Sequence, residues 1–166
     1  MTISDPNRDE SQEPDKQVGQ LLAEAHMILP GLLMLLGLQI IAVFNDVFQD
    51  GLEPHDHALH LVALFLLATG AALVVTPAAY HRQVAPYGIP ADFAKLASRF
   101  ATAALVPLMF ALSIDAYLVG KLALGDLPLD KSLTAIAIAV ALLMMFSALW
   151  FVFPWVMTRR RQRAAR

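Results

Sequence analysis

The chain has few charged residues and no cysteine. The absence of cysteine excludes disulfide bridges and thiolate metal sites. Asp, Glu, Lys and Arg together make up 16% of its 166 residues, whereas an average soluble domain has about 25%. Because the net charge is only −2, composition gives no sign of a nucleic-acid partner, and we expect none.

The usual sequence signatures of catalysis are also missing. There is no G-x-x-x-x-G-K-[ST] phosphate loop, no G-x-S-x-G nucleophile elbow and no H-E-x-x-H zinc motif. The polar stretches are too short to fold as a catalytic domain of their own. We therefore expect neither an enzyme nor a bound cofactor.

Apolar residues are abundant instead, at 58% of the chain, and they are grouped. Four apolar segments, at about 27–47, 58–80, 98–119 and 133–157, are each close to the roughly 20 residues that cross a hydrocarbon core. In lipid, a helix satisfies its own backbone hydrogen bonds. The pattern therefore predicts an all-α fold, an integral membrane four-helix bundle.

Composition divides the chain into three parts. Residues 1–20 are acidic and are predicted to be a flexible tail, residues 21–158 hold the four spans, and residues 159–166 form a basic tail. Asp92 and Ser132 are the residue types that commonly begin helices, so they are the predicted N-caps of the third and fourth helices.

The distribution of Lys and Arg predicts the orientation. Ten of them lie in the two ends and in the 81–99 loop, whereas two, Lys121 and Lys131, lie near the opposite face. The positive-inside rule then places both termini in the cytoplasm and the chain in the inner (plasma) membrane. Basic side chains next to the spans are expected to anchor the helices and to attract anionic lipid at the cytoplasmic face. The candidates are His81, Arg82, Arg159, Arg160 and Arg161.

Asp115 is the acidic residue that lies deepest inside a predicted span. It follows Phe100 by 15 residues, which is about 22 Å along a helix, in the outer third of the membrane. An ionised acid there costs several kcal/mol unless it is paired or hydrated, so it is a candidate proton or cation site. Gln39 and His60 are its candidate partners. The alternative is a structural Asp115, wetted at the interface or capping a helix end.

The outer segment NDVFQDGLEPHDHALH, residues 45–60, is rich in histidine and acids. Imidazole and carboxylate ligands suit zinc or copper, so His55, His57 and His60 are the candidate ligands if a metal binds. The spacing matches no strict metal motif, however, and we expect a solvated acidic loop without a metal. A pH-sensing role is the third alternative.

Three segments, LLAEAHMILPG, TPAAYHR and WFVFPWVMTRRR, resemble a bacterial family of small four-helix membrane proteins known only as a domain of unknown function. The resemblance covers roughly residues 21–161, and some members carry a sodium/proton antiporter label. The matching positions are Glu24, Gly31, Pro77, His81 and Arg82. The chain departs from the pattern at His26, Leu33 and His60.

Two functions remain open on this sequence. The first is a proton/cation-coupled transporter, antiporter-like, with Asp115 as the ion-carrying group. The second is a non-transport scaffold or accessory subunit that acts through helix–helix contacts. Because four helices leave much apolar surface uncovered, a homo-oligomer within the lipid bilayer is expected in either case.

Overall fold

The computed structural model describes residues 6–84, 93–124 and 130–164, and every regular element within them is a helix. In chain order these are α1 (Pro6–Ala42), α2 (Asp46–Gly51), α3 (Pro54–Val84), α4 (Phe93–Ala123), α5 (Lys131–Ser147) and α6 (Phe153–Ala164). A π-helical segment, Ala148–Val152, joins α5 to α6. The predicted all-α fold is confirmed.

Three helical stretches are long and apolar enough to cross a membrane: Pro54–Val84, Phe93–Ala123 and Lys131–Arg163. The apolar part of α1, His26–Ala42, is shorter, about 25 Å at 1.5 Å per residue. The second, third and fourth predicted apolar segments therefore form helices of spanning length, and the first lies in the last part of α1 only as far as Ala42.

Helices α3 and α4 are antiparallel neighbours. At one end of the pair, Tyr80 stacks on Phe93 with ring centroids 6.0 Å apart and planes inclined by 10°. At the other end, Lys121 contacts Asp56. The first turn of α3 therefore lies beside the last turn of α4, and residues far apart in sequence meet at the same level.

Small residues let these helices approach closely. A Cβ atom added to Gly70 of α3 would lie 2.9 Å from Leu108 Cγ of α4. Ala71, Ala104 and Ala111 are buried in the same core. Close backbone approach is the usual source of packing energy where lipid removes the hydrophobic driving force between helices.

The start of α5 corrects the predicted N-cap. Asp130, not Ser132, is the capping residue, because its Oδ1 accepts hydrogen bonds from the backbone N–H groups of Ser132 and Leu133 at 3.1 and 3.2 Å. The helix begins at Lys131, so Ser132 lies inside the first turn, where its N–H needs a partner. Asp92, the other predicted cap, lies outside the described residues.

The predicted outer loop is partly helical. Asn45 caps α2 by accepting the Val47 N–H at 2.9 Å, and Phe48 of α2 is buried. Helix α1 ends at Ala42, inside the first predicted span, because the chain turns there to enter α2. At its other end α1 already includes residues 6–20, and the flexibility of that predicted tail stays a prediction.

Candidate functional site

The end of α1 is capped by a histidine from α3. A helix leaves its last four carbonyls without intrahelical partners, and that of Gln39 is one of them. His60 Nε2 lies 3.0 Å from this carbonyl oxygen. A carbonyl only accepts hydrogen bonds, so the proton is on His60 Nε2, which donates it. The bond fixes the ring of His60 against α1.

The side chain of Gln39 joins α1 to α4. Its Nε2 donates to Asp115 Oδ2 at 2.5 Å. The structure thus brings together the three residues that the sequence nominated, and we call Gln39, His60 and Asp115 the polar cluster. Their role in proton or cation handling stays a prediction.

One buried acceptor of the polar cluster, Gln39 Oε1, has no hydrogen-bond partner among the described residues. Gln39 is 7% exposed and His60 is 4% exposed. An unpaired buried polar atom costs about 1–3 kcal/mol, so this oxygen makes the site locally unfavourable for stability.

The polar cluster lines a cavity of about 360 Å³, which we call the lateral cavity. Apart from the cluster and Asn45, its walls are apolar side chains of α1, α2 and α4. Phe48 of α2 packs edge-on against His60 with ring centroids 4.7 Å apart and planes inclined by 65°. A mostly apolar cavity with a few convergent polar groups is the usual form of a small-molecule site.

A second group of charges lies beside the cluster, and sequence reasoning missed it. Lys121 Nζ is 2.6 Å from Asp56 Oδ2 and 3.8 Å from Glu53 Oε1. Asp56 is fully buried, and its Oδ2 also accepts the Glu53 N–H at 3.0 Å. His55 Nε2 lies 3.3 Å from Asp56 Oδ1. We call these four residues the ion-pair cluster.

The antiparallel register explains why the two clusters are neighbours. Asp56 precedes His60 by one helical turn on α3, and Lys121 follows Asp115 on α4. Because α3 and α4 run antiparallel, the start of α3 and the end of α4 lie at the same end of the bundle, so the Asp56–Lys121 pair forms close to the polar cluster. The signal available in the sequence was the place of Asp56 between the nominated His55 and His57, whereas Lys121 lies next to no nominated residue.

The candidate metal ligands do not converge. His57 Nδ1 lies 3.0 Å from the Glu53 carbonyl oxygen, and the ring of His57 packs edge-on against Phe48 at 5.2 Å. His60 faces α1, and His55 lies against the acids of the ion-pair cluster. Within residues 6–84, 93–124 and 130–164, no group of three His, Asp or Glu side chains is placed to hold a metal ion.

The predicted anchors lie at the opposite end of the bundle or on α6. His81 packs against Phe93 with ring centroids 5.5 Å apart, and Arg82 is exposed in the last turn of α3. Arg159 lies over the ring of Trp155 at 3.7 Å, a cation–π contact. Arg160 and Arg161 are exposed. Their binding to lipid stays a prediction.

Fold and site together define a class: an all-helical chain whose apolar helices are compatible with a membrane protein, with polar clusters at one end. The chain belongs to DUF6328, a family of unknown function, which it matches over residues 7–154. This confirms the resemblance to a family known only as a domain of unknown function. Comparison with curated proteins and with solved structures gave no match.

Proposed function

We propose that the chain crosses the inner membrane four times with both termini in the cytoplasm. The apolar part of α1 supplies the first crossing, since α1 extends well beyond it at the N-terminal side. The excess of Lys and Arg at the two ends and near the α3–α4 connection supports this orientation. The polar cluster then lies near the periplasmic face, and the arginines of α6 meet anionic lipid at the cytoplasmic face.

Within this topology the chain acts as a proton/cation-coupled transporter, without enzymatic activity. The observation that carries the proposal is the contact of Asp115 with Gln39 beside a cavity. Asp115 is the ion-carrying group, Gln39 orients its carboxylate, and His60 holds the end of α1 in place. The C-terminus of α1 adds partial negative charge on the same side, which favours a bound cation.

Reconstitution tests this proposal. We expect proteoliposomes of the purified chain to release an imposed pH gradient when Na⁺, K⁺ or guanidinium is added in turn. Asp115→Asn should abolish the response, because the amide has no charge to exchange. Asp50→Asn is the matched control, since Asp50 is an exposed acid of α2. A response to none of the three cations, or one that Asp115→Asn preserves, contradicts the proposal.

A second candidate is a non-transport scaffold or accessory subunit. It is favoured by the Lys131–Arg163 helix, because none of its most apolar stretch is buried within the chain. Ala137 and Ala141, four residues apart, are exposed on α5, and such pairs let a second helix approach closely. A homo-oligomer would use this face. Absence of any flux in the experiment above leaves this candidate as the better one.

A further inference from the structure

The polar groups of the lateral cavity differ in what they can still bind. The Gln39 amide N–H already donates to Asp115, and His60 Nε2–H already donates to the Gln39 carbonyl. The charged group among the residues that line the cavity is the Asp115 carboxylate, which only accepts hydrogen bonds. The other polar side chains, the amides of Gln39 and Asn45 and the imidazole of His60, can balance no charge. The site therefore suits a positively charged ligand that carries N–H donors.

The walls restrict the ligand further. Leu35, Leu118 and Leu122 are among the apolar side chains that line the cavity. Hard metal cations are held by six or more oxygen ligands, or keep several of their waters. A single carboxylate inside mostly apolar walls offers neither arrangement. An organic ammonium ion fits better, because its head group pairs with the carboxylate while its hydrocarbon part covers the walls.

The rim of the cavity shows where such a ligand enters. Val119 of α4 is 62% exposed and Leu38 of α1 is 52% exposed, and both line the cavity. In the proposed topology these side chains face lipid, so the cavity opens sideways between α1 and α4. An amphiphilic amine gathers at the membrane interface with its charge towards water and its chain in the hydrocarbon. It reaches this opening without crossing a polar barrier.

We propose that the lateral cavity binds a primary amphiphilic ammonium ion. The head group donates its hydrogen bonds to the Asp115 carboxylate, and the alkyl chain lies along the leucines of α1 and α4. This inference rests on the proposed function and names the class of cation that it handles. The three N–H donors of a primary ammonium set it apart from a quaternary one, which has the same charge and no donor.

A matched pair of ligands tests the site. The chain is placed in lipid nanodiscs, and binding of n-octylammonium and n-octyltrimethylammonium is measured by calorimetry at neutral pH, with empty nanodiscs as the blank. We expect octylammonium to bind about tenfold more tightly, the ratio that one hydrogen bond to a charged group provides. Equal affinities, or no binding above the blank, would overturn the inference.

Variants locate the binding. Asp115→Asn should weaken octylammonium binding at least about tenfold, because the charged acceptor is lost. Val119→Trp should do the same by blocking the rim, without touching the polar cluster. Asp50→Asn should leave the affinity unchanged. If Asp115→Asn fails to fold, Val119→Trp still decides, and undiminished binding by this variant removes the cavity as the site.

The outcomes separate this inference from the proposed function. Asp115-dependent flux of Na⁺ without selective octylammonium binding supports transport and overturns the organic ligand. Selective binding that Val119→Trp abolishes, with no flux of any cation tested, supports the site and overturns transport.

Discussion

Lys121→Met is predicted to destabilise the fold, because it leaves the Asp56 carboxylate buried without its cationic partner. Asp56 is fully buried, and the Lys121 side chain is 10% exposed. Removing one partner of a fully enclosed ion pair costs about 3–5 kcal/mol. Here the side chains of Glu53 and His55 are 66% and 59% exposed, so water reaches the edge of the cluster. We therefore expect a smaller loss of about 2–3 kcal/mol, that of a hydrogen bond to a charged group.

The assay is equilibrium unfolding in mixed micelles with a rising fraction of denaturing detergent, followed by circular dichroism. The double variant Asp56→Asn/Lys121→Met should recover most of the loss and lie within about 1 kcal/mol of the native chain. The Asn side chain is neutral and keeps an acceptor for the Glu53 N–H, so no buried charge is left unpaired.

A lysine elsewhere provides the control. Lys131→Met makes the same chemical change at an exposed position in the first turn of α5, and it should change the free energy of unfolding by less than about 0.5 kcal/mol. If Lys121→Met costs no more than this control, the Asp56–Lys121 contact contributes nothing. If the double variant is as unstable as Lys121→Met alone, the loss comes from packing and not from the unpaired carboxylate.

Two further predictions use the same unfolding measurement. Asp130→Ala should cost about 1 kcal/mol through loss of the α5 N-cap, whereas Ser132→Ala should cost less than about 0.5 kcal/mol. The reverse order would restore Ser132 as the cap. Gly70→Val should cost about 1–3 kcal/mol, because its side chain overlaps Leu108. Gly37→Val is the control, because a side chain at this position of α1 meets no other atom within 4 Å and should cause no steric overlap. Equal losses of unfolding free energy at both positions would refute the close approach of α3 and α4.

Part of the candidate site was predictable from the sequence. Gln39, His60 and Asp115 are polar residues in apolar surroundings, and counting residues from the ends of the segments places them at similar depth. Their hydrogen bonds were not predictable in the same way. His60 binds the backbone of Gln39 only because α1 ends at Ala42, and that end depends on the turn into α2.

The sequence by itself determined the helical class, the apolar segments and the position of the polar side chains along them. These follow from hydropathy and helical rise, which are properties of neighbouring residues. The tertiary structure decided which side chains meet: Asp56 with Lys121, Gln39 with Asp115, and Phe48 with His60. These contacts depend on the register and rotation of whole helices. Packing at small residues such as Gly70 sets both, and a local pattern does not contain that information.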